Sequence, residues 1–198
     1  MMTSADDLAS ALGPVLQVMH SLQIPHCIGG SVASSYHGAS RSTMDVDLLC
    51  TLTAETVEGF LDAFNHDDYY MSPAAVREAV HHRSCFNLIH LPTSLKIDCF
   101  VSEDRPFDRM RLTRSTVVTL GTSIPLSAAM TSAEDVVISK LEWFRKGNES
   151  STRQWDDVSR VMKLLGDNAD FPYLREAAES LGLTDLLSRL ITEINIPH

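Results

Sequence analysis

The sequence lacks the long apolar run that a membrane-spanning helix needs, because no stretch of about eighteen consecutive apolar residues occurs in it. Its first ten residues, MMTSADDLAS, carry acids where a secretory signal peptide carries basic residues. Low-complexity runs and repeats are also missing, and the mean hydropathy of −0.02 is typical of a folded globular chain. These absences predict a cytoplasmic protein with no membrane partner.

Basic residues are scarce, since 16 Lys and Arg stand against 26 Asp and Glu, which gives a net charge of −10. This balance argues against a broad electrostatic footprint on nucleic acid. One local exception is the stretch RPFDRMRLTR, which holds four arginines at 105, 109, 111 and 114. The stretch is either a local patch that contacts phosphates or a solvated loop and helix surface.

Cysteine pairs of the metal-binding or redox type are absent, because no C-x-x-C occurs. The cysteines lie in or beside apolar runs that are typical of strands. We therefore expect small buried thiols in a reducing compartment. They are Cys27, Cys50, Cys85 and Cys99.

At 198 residues the chain can form one good core, or a catalytic lobe with a helical appendage. Strand and helix patterns mix up to about residue 130, where TVVTL and SIPLS predict an edge pair of strands, and only helical patterns follow. The stretch TSAE predicts a capping box with Thr131 as the N-cap. We expect an α+β fold with a mixed sheet over 1–130 and a helical lobe over 131–198. No Pro/Gly/Ser-rich spacer separates the lobes, so they should pack together.

Two acids interrupt an apolar strand pattern in MDVDLLC. Side chains alternate along a strand, so Asp45 and Asp47 should project from the same side. Their mutual repulsion requires a shared proton or a cation, and carboxylate oxygens are hard ligands that suit a divalent metal.

A third acid, Asp98, lies within the strand pattern LKIDCFV, on the same side as Lys96 and Phe100. If the two strands are neighbours, the three carboxylates form a cluster able to hold two Mg²⁺ ions about 4 Å apart. The alternative is that Asp98 lies at a frayed strand end and pairs with a lysine such as Lys96.

A double glycine, Gly29-Gly30, followed by Ser31 ends the first predicted strand and begins a short helix. Glycine allows the backbone to approach a phosphate closely, and a helix N-terminus offers unpaired N–H groups to an anion. The hydroxyl of Ser31 adds a further polar contact.

Together, G-G-S, D-V-D and the later strand Asp resemble the nucleotidyltransferase superfamily, whose fold is shared with DNA polymerase β. Within that superfamily, RSTMDVDLL followed by a late helical region resembles the AbiEii-type toxins and their small relatives. The resemblance covers roughly residues 24–165 and is strongest over 28–50. It implies a mixed-sheet core flanked by helices, and Mg²⁺-dependent transfer of a nucleoside monophosphate from an NTP to an acceptor hydroxyl, with release of pyrophosphate.

The same resemblance assigns roles to individual residues. Asp45, Asp47 and Asp98 would hold two Mg²⁺ ions, and Asp98 would also act as general base toward the acceptor hydroxyl. Gly29, Gly30 and Ser31 would seat the nucleotide phosphates. Arg41 and Thr43, just before the acids, would contact the triphosphate or the metal shell, and the alternative is that they are solvated loop residues.

Lys140 lies inside an apolar arc on the helix predicted over 132–146, where a lysine must either snorkel outward or find an anion. The stretch DVVISK resembles a motif of the AbiEii-like proteins, which implies that Lys140 contacts nucleotide phosphates. A structural ion pair is the alternative, and a salt bridge is the default interpretation for Arg153 and Asp157. The arc consists of Val136, Val137, Leu141, Trp143 and Phe144.

The acceptor stays open at this point. A tRNA 3′ end fits the resemblance to toxins, which also implies an antitoxin protein as a partner. A small hydroxylated molecule, as in aminoglycoside nucleotidyltransferases, fits the acidic net charge better. A hypothesis of another class is a non-catalytic member of the same fold that binds a nucleotide or a partner protein.

Overall fold

The computed structural model describes residues 5–39, 45–64, 67–121 and 123–194. Within these ranges the chain forms one mixed sheet of seven strands, which confirms the α+β fold with a mixed sheet. The strands are β1 (His26–Ile28), β2 (Asp45–Cys50), β3 (Tyr69–Tyr70), β4 (Cys85–His90), β5 (Leu95–Val101), β6 (Thr116–Leu120) and β7 (Leu126–Met130). Their order across the sheet is β3-β4-β5-β2-β1-β7-β6.

Helices cover the sheet, and the described chain is helical from residue 133 onward apart from its short connections. No helix in the described ranges is both long enough and apolar enough to cross a membrane. The helices are α1 (Ala5–Ser21), α2 (Gly30–Tyr36), α3 (Val57–Asp62), α4 (Pro73–His82), α5 (Pro106–Arg114), α6 (Ala133–Lys146), α7 (Thr152–Leu165), α8 (Phe171–Ser180) and α9 (Thr184–Ile194).

The centre of the sheet is the parallel pair of β2 and β5, in which Asp47 lies directly beside Asp98 and Asp45 beside Lys96. The apolar residues of β5 alternate with these polar ones and are buried on the opposite face of the sheet. Strand β4 pairs antiparallel with β5 through a short turn. The two acid-bearing strands are therefore neighbours.

The expected edge pair of strands is half right. Strands β6 and β7 form a hairpin, but β7 also pairs in parallel with β1 at Ile28 and Met130, so only β6 lies at the edge. Burial gives the physical reason, because Ala128 and Met130 of β7 are buried in the core. Strand β6 has no fully buried residue and can be covered on one side only.

The N-cap of α6 is Ser132 rather than the predicted Thr131. The hydroxyl oxygen of Ser132 accepts a hydrogen bond from the backbone N–H of Asp135 at 3.2 Å. Thr131 instead continues the sheet, since its backbone N–H donates to the carbonyl of Ile28 at 3.0 Å and its side chain is buried. The TSAE pattern placed the start of the helix one residue too early.

A buried carboxylate ties the first turn of α6 to the helices around it. Asp135 is fully buried, and it accepts hydrogen bonds from the hydroxyls of Ser132, at 2.7 Å, and of Tyr173 on α8. The guanidinium of Arg114, at the end of α5, lies 3.9 Å from the centre of the Tyr173 ring. One polar cluster thus joins α5, α6 and α8.

We expect Tyr173→Phe to lower the free energy of unfolding by about 1–3 kcal/mol, because a buried oxygen of Asp135 loses its donor. Urea denaturation of the parent and the variant measures the difference. Tyr70→Phe is the matched control, since the side chain of Tyr70 is 62% exposed and should tolerate the same change. Equal losses in the two variants would contradict the structural role of Tyr173.

Candidate functional site

A pocket of about 570 Å³ opens between one face of the sheet and the helices α5 and α6. Strands β2, β4 and β5 form its floor, and the turn between β1 and α2 closes one end. The polar residues that matter below are Gly29, Gly30, Ser31, Asp47, Arg111 and Lys140.

Two of the predicted acids lie side by side here, with Asp47 lining the pocket and Asp98 beside it on β5. Burial raises the pKa of the Asp47 carboxyl, the nearby charge of Asp98 raises it further, and a hydrogen bond from the backbone N–H of Ser31 partly offsets both effects. One carboxylate oxygen of Asp98, Oδ1, is buried without a hydrogen-bond partner. The pair is therefore a half-buried like-charge site that a cation would stabilise.

Lys96 supplies part of that positive charge. Its Nζ lies 2.9 Å from Oδ2 of Asp98 and 3.5 Å from Oδ1 of Asp45, and the hydrogen bond to Asp98 raises the pKa of the ammonium. The alternative interpretation of Asp98 is thus right about the lysine partner, but the residue lies in mid-strand and not at a frayed end.

The third acid stands slightly apart from this pair. Asp45 lies two residues before Asp47 on β2, where it faces Lys96 on β5, and its side chain is 53% exposed. In the part of the chain that the structure describes, no three His, Cys, Asp or Glu side chains converge as a metal site. The structure thus brings Asp47 and Asp98 together, and the three-carboxylate metal centre stays a prediction.

Gly30 joins the acids to the glycine turn. Its φ of +53° lies in the left-handed region, and a Cβ at this position would come within 1.6 Å of Oδ2 of Asp47. The neighbouring backbone is also tied to the strand, because the N–H of Gly29 donates to the carbonyl of Asp47 at 2.9 Å. Only glycine allows the turn and the carboxylate to lie in direct contact.

We expect Gly30→Ala to displace Asp47 and to abolish any activity that depends on it. Gly182→Ala is a matched control, because Gly182 also has a positive φ, +66°, at the left-handed end of α8, and a Cβ added there would meet nothing within 4 Å. The control should lose only about 1–2 kcal/mol of stability, the cost of a left-handed backbone, whereas Gly30→Ala should lose more. Thermal or urea unfolding measures both, and equal losses would show that the contact with Asp47 is unimportant.

Lys140 lies in the wall of the same pocket and is 4% exposed. Its Nζ lies 3.0 Å from Oδ2 of Asp157 and 3.3 Å from the side-chain oxygen of Gln154. Asp157 therefore forms the salt bridge expected for it, and its partner is Lys140. Arg153, for which a salt bridge is also expected, is exposed. The ion pair with Asp157 is the alternative foreseen for Lys140, and the contact of Lys140 with nucleotide phosphates stays a prediction.

We expect Lys140→Met to cost about 3–5 kcal/mol of stability, because the buried Asp157 carboxylate loses the ammonium that offsets its charge. The double variant Lys140→Met/Asp157→Leu should recover most of that loss, since it removes both charges. Urea denaturation tests the structural part. A stable double variant that still binds a nucleoside triphosphate as the parent does would contradict the phosphate contact predicted for Lys140.

The prediction that Trp143 belongs to the apolar arc of α6 is wrong. The side chain is 49% exposed and lines the pocket, with its ring centre 5.8 Å from that of Phe100. The reason is that α6 runs along the pocket, so the side of the helix that carries Lys140 continues through positions 143 and 146 to the pocket mouth. The spacing of three between Lys140 and Trp143 was the available signal.

One cysteine also departs from its prediction. Cys27, Cys50 and Cys99 are buried free thiols as predicted, but Cys85 is exposed and lines the pocket. It is the first residue of β4 and pairs with Phe100, which places it on the pocket face of the sheet. Partial desolvation of its sulfur against the sheet, together with the nearby charges of Asp98 and Asp47, raises the pKa of its thiol to about 11.

Three of the four clustered arginines form ion pairs with acids of the same chain. Arg105 pairs with Asp108 and Glu142, Arg109 with Asp104, and Arg114 with Glu134 and Asp170. The fourth, Arg111, lines the pocket, and sequence reasoning did not single it out. The other basic candidate, Arg41, lies with Thr43 outside the described residues.

No family model matches this chain, and no curated protein sequence matches it. Two solved structures share its fold. One is an antigenic nucleotidyltransferase-like protein from Paracoccidioides brasiliensis, with 19% identity, a TM-score of 0.53, and coverage of 96% of this chain and 94% of that one. The other is ANT(2'')-Ia in complex with adenylyl-2''-tobramycin, with 12% identity, a TM-score of 0.52, and coverage of 87% and 97%.

These likenesses show that the chain has a nucleotidyltransferase fold, as the sequence motifs predict. They do not bear on the narrower resemblance to AbiEii-type toxins. A toxic role and an antitoxin partner therefore stay predictions.

Proposed function

We propose that this chain is a Mg²⁺-dependent nucleotidyltransferase that moves a nucleoside monophosphate from an NTP to the hydroxyl of a small acceptor molecule. The observation that carries the proposal is the half-buried pair Asp47 and Asp98, of which Asp47 touches Gly30 and lines one end of a pocket. A site for cations and a glycine turn that can approach a phosphate thus share one wall.

The acids fit a magnesium ion by their chemistry. Oδ1 of Asp98 is buried and lacks a hydrogen-bond partner, and Asp47 and Asp98 repel each other without a cation. These two residues would hold the metal, with the exposed carboxylate of Asp45 beside them, because Mg²⁺ prefers carboxylate oxygens. When bound, Mg²⁺ neutralises charge on the phosphate oxygens of the nucleotide.

The remaining chemistry belongs to the residues of the chain. The turn at Gly29, Gly30 and Ser31 seats the phosphates, and Asp98 accepts the proton of the acceptor hydroxyl. The acceptor oxygen forms a bond to the α-phosphorus as the bond from that phosphorus to the bridging oxygen breaks. Pyrophosphate leaves with the electron pair, and the rate comes mainly from positioning and electrostatics.

The charge distribution supports a small acceptor over a tRNA. Three arginines of the only strong basic cluster in the sequence are neutralised by acids of the chain, and the net charge is −10. Binding to RNA draws on phosphate contacts from free Lys and Arg. The adenylylated tobramycin in the ANT(2'')-Ia structure gives a precedent for a small acceptor on this fold.

We expect labelled NTP and Mg²⁺ to label a member of a panel of small hydroxylated molecules that includes aminoglycosides. Asp47→Asn and Asp98→Asn should each reduce transfer by about a hundredfold or more, because metal binding or proton removal is lost. Asp62→Asn is the control, since Asp62 is an exposed acid at the end of α3, outside the pocket. Nucleotidyl transfer that survives both Asp47→Asn and Asp98→Asn would overturn the assignment of these two residues to the active site.

Two further outcomes decide between the alternatives. Labelling of a tRNA pool that weakens steeply with salt would replace the small acceptor by RNA. Binding of NTP without labelling of any acceptor would favour a nucleotide-binding module.

Without metal, Asp47→Asn should be at least as stable as the parent at pH 7, because it removes a buried like charge, so lost activity cannot be attributed to unfolding.

A further inference from the structure

Arg111 is a half-buried cation of the pocket that has no ion pair with an acid among the described residues. Among the described residues, Arg111 makes no hydrogen bond or ion pair, although Arg105, Arg109 and Arg114 on either side of it along the chain all do. Its Nε is buried without a hydrogen-bond partner, and the guanidinium lies 5.7 Å from the Phe107 ring. A half-buried guanidinium of this kind is costly unless an anion binds it.

The guanidinium also lies directly against the glycine turn. A Cβ at Gly29 would lie 3.0 Å from Nη2 of Arg111, a tight contact that the end of a flexible side chain could relieve by a small shift. The guanidinium of Arg111 and the carboxylate of Asp47 therefore approach the same turn, the first at Gly29 and the second at Gly30.

The acids near Arg111 are committed to other partners. Both oxygens of Asp135 accept hydrogen bonds, from Tyr173 and Ser132, and Asp108 pairs with Arg105. Cys27 on β1, which also faces the guanidinium, is a buried thiol. The N–H donors of Arg111 that face the pocket are therefore available to a ligand, whereas Nε is buried.

We propose that Arg111 binds the β- and γ-phosphates of the bound NTP and stabilises the pyrophosphate as it leaves. This inference rests on the proposed function and adds a residue that the motif does not contain. The planar fork of a guanidinium matches two phosphate oxygens at once, which an ammonium cannot do. As the bond between the α-phosphorus and the bridging oxygen breaks, the negative charge that accumulates on pyrophosphate lies beside Arg111.

Inorganic tripolyphosphate with Mg²⁺ is a suitable probe, because it presents the phosphate chain without a base or sugar. We expect Arg111→Met to weaken its binding by about tenfold to hundredfold in titration calorimetry, and Arg111→Lys to weaken it less. Arg109→Met is the matched control, since Arg109 lies on the same helix, is exposed and pairs with Asp104. That control should bind as the parent does.

The outcomes separate this inference from the proposed function. A parent that binds tripolyphosphate and an Arg111→Met variant that binds it equally well would overturn the role of Arg111 and leave the function standing. A parent that does not bind tripolyphosphate would overturn both. Circular dichroism and thermal unfolding establish that the variants are folded. If Arg111→Lys still binds tripolyphosphate and Arg111→Met does not, the loss comes from a missing phosphate contact and not from a lost structure.

Discussion

Two carboxylates lie side by side on adjacent parallel strands, and the rest of the site has to accommodate their repulsion. The register of β2 and β5 makes Asp47 and Asp98 direct neighbours, and burial makes their repulsion costly. The surrounding chain offsets that cost locally, with a backbone N–H from Ser31 and the ammonium of Lys96. Such a pair is poor for stability alone, which is typical of sites kept for function.

The glycine turn is the second part of the same arrangement. Gly29 and Gly30 bring the backbone into contact with groups of opposite charge, the guanidinium of Arg111 and the carboxylate of Asp47. A side chain at Gly30 would displace Asp47, whereas one at Gly29 would only crowd Arg111. The turn therefore lies between the anionic and the cationic sides of the site.

The polar interior extends from the site into the helical part of the chain. Lys140 and Asp157 join α6 to α7, and Asp135 with Tyr173 joins α6 to α8. Removing one member of such a buried pair is costly, so these contacts specify how the helices pack as well as stabilising them. Helix α6 thus carries pocket residues on one side and the attachment of the later helices on another.

Much of the fold and of the candidate site could be predicted from local patterns. Alternation in DVDLLC and LKIDCFV placed the acids on one face, and the strand pairing then made them neighbours. The errors concern positions where neighbours decide the outcome. Thr131 stays in the sheet and Ser132 caps α6, and Trp143 faces a pocket that a helical wheel cannot show. The alternating strands, the glycine turn and the acids that they carry were readable from the chain alone, because such features depend on residues close together in it. The pairing of Lys140 with Asp157, and the position of Arg111 at the turn without an acid, came only from the folded chain, since those partners are up to 82 positions apart, as from 29 to 111. Long-range packing determines which charged groups meet, and the local periodicity of the sequence does not encode those pairings.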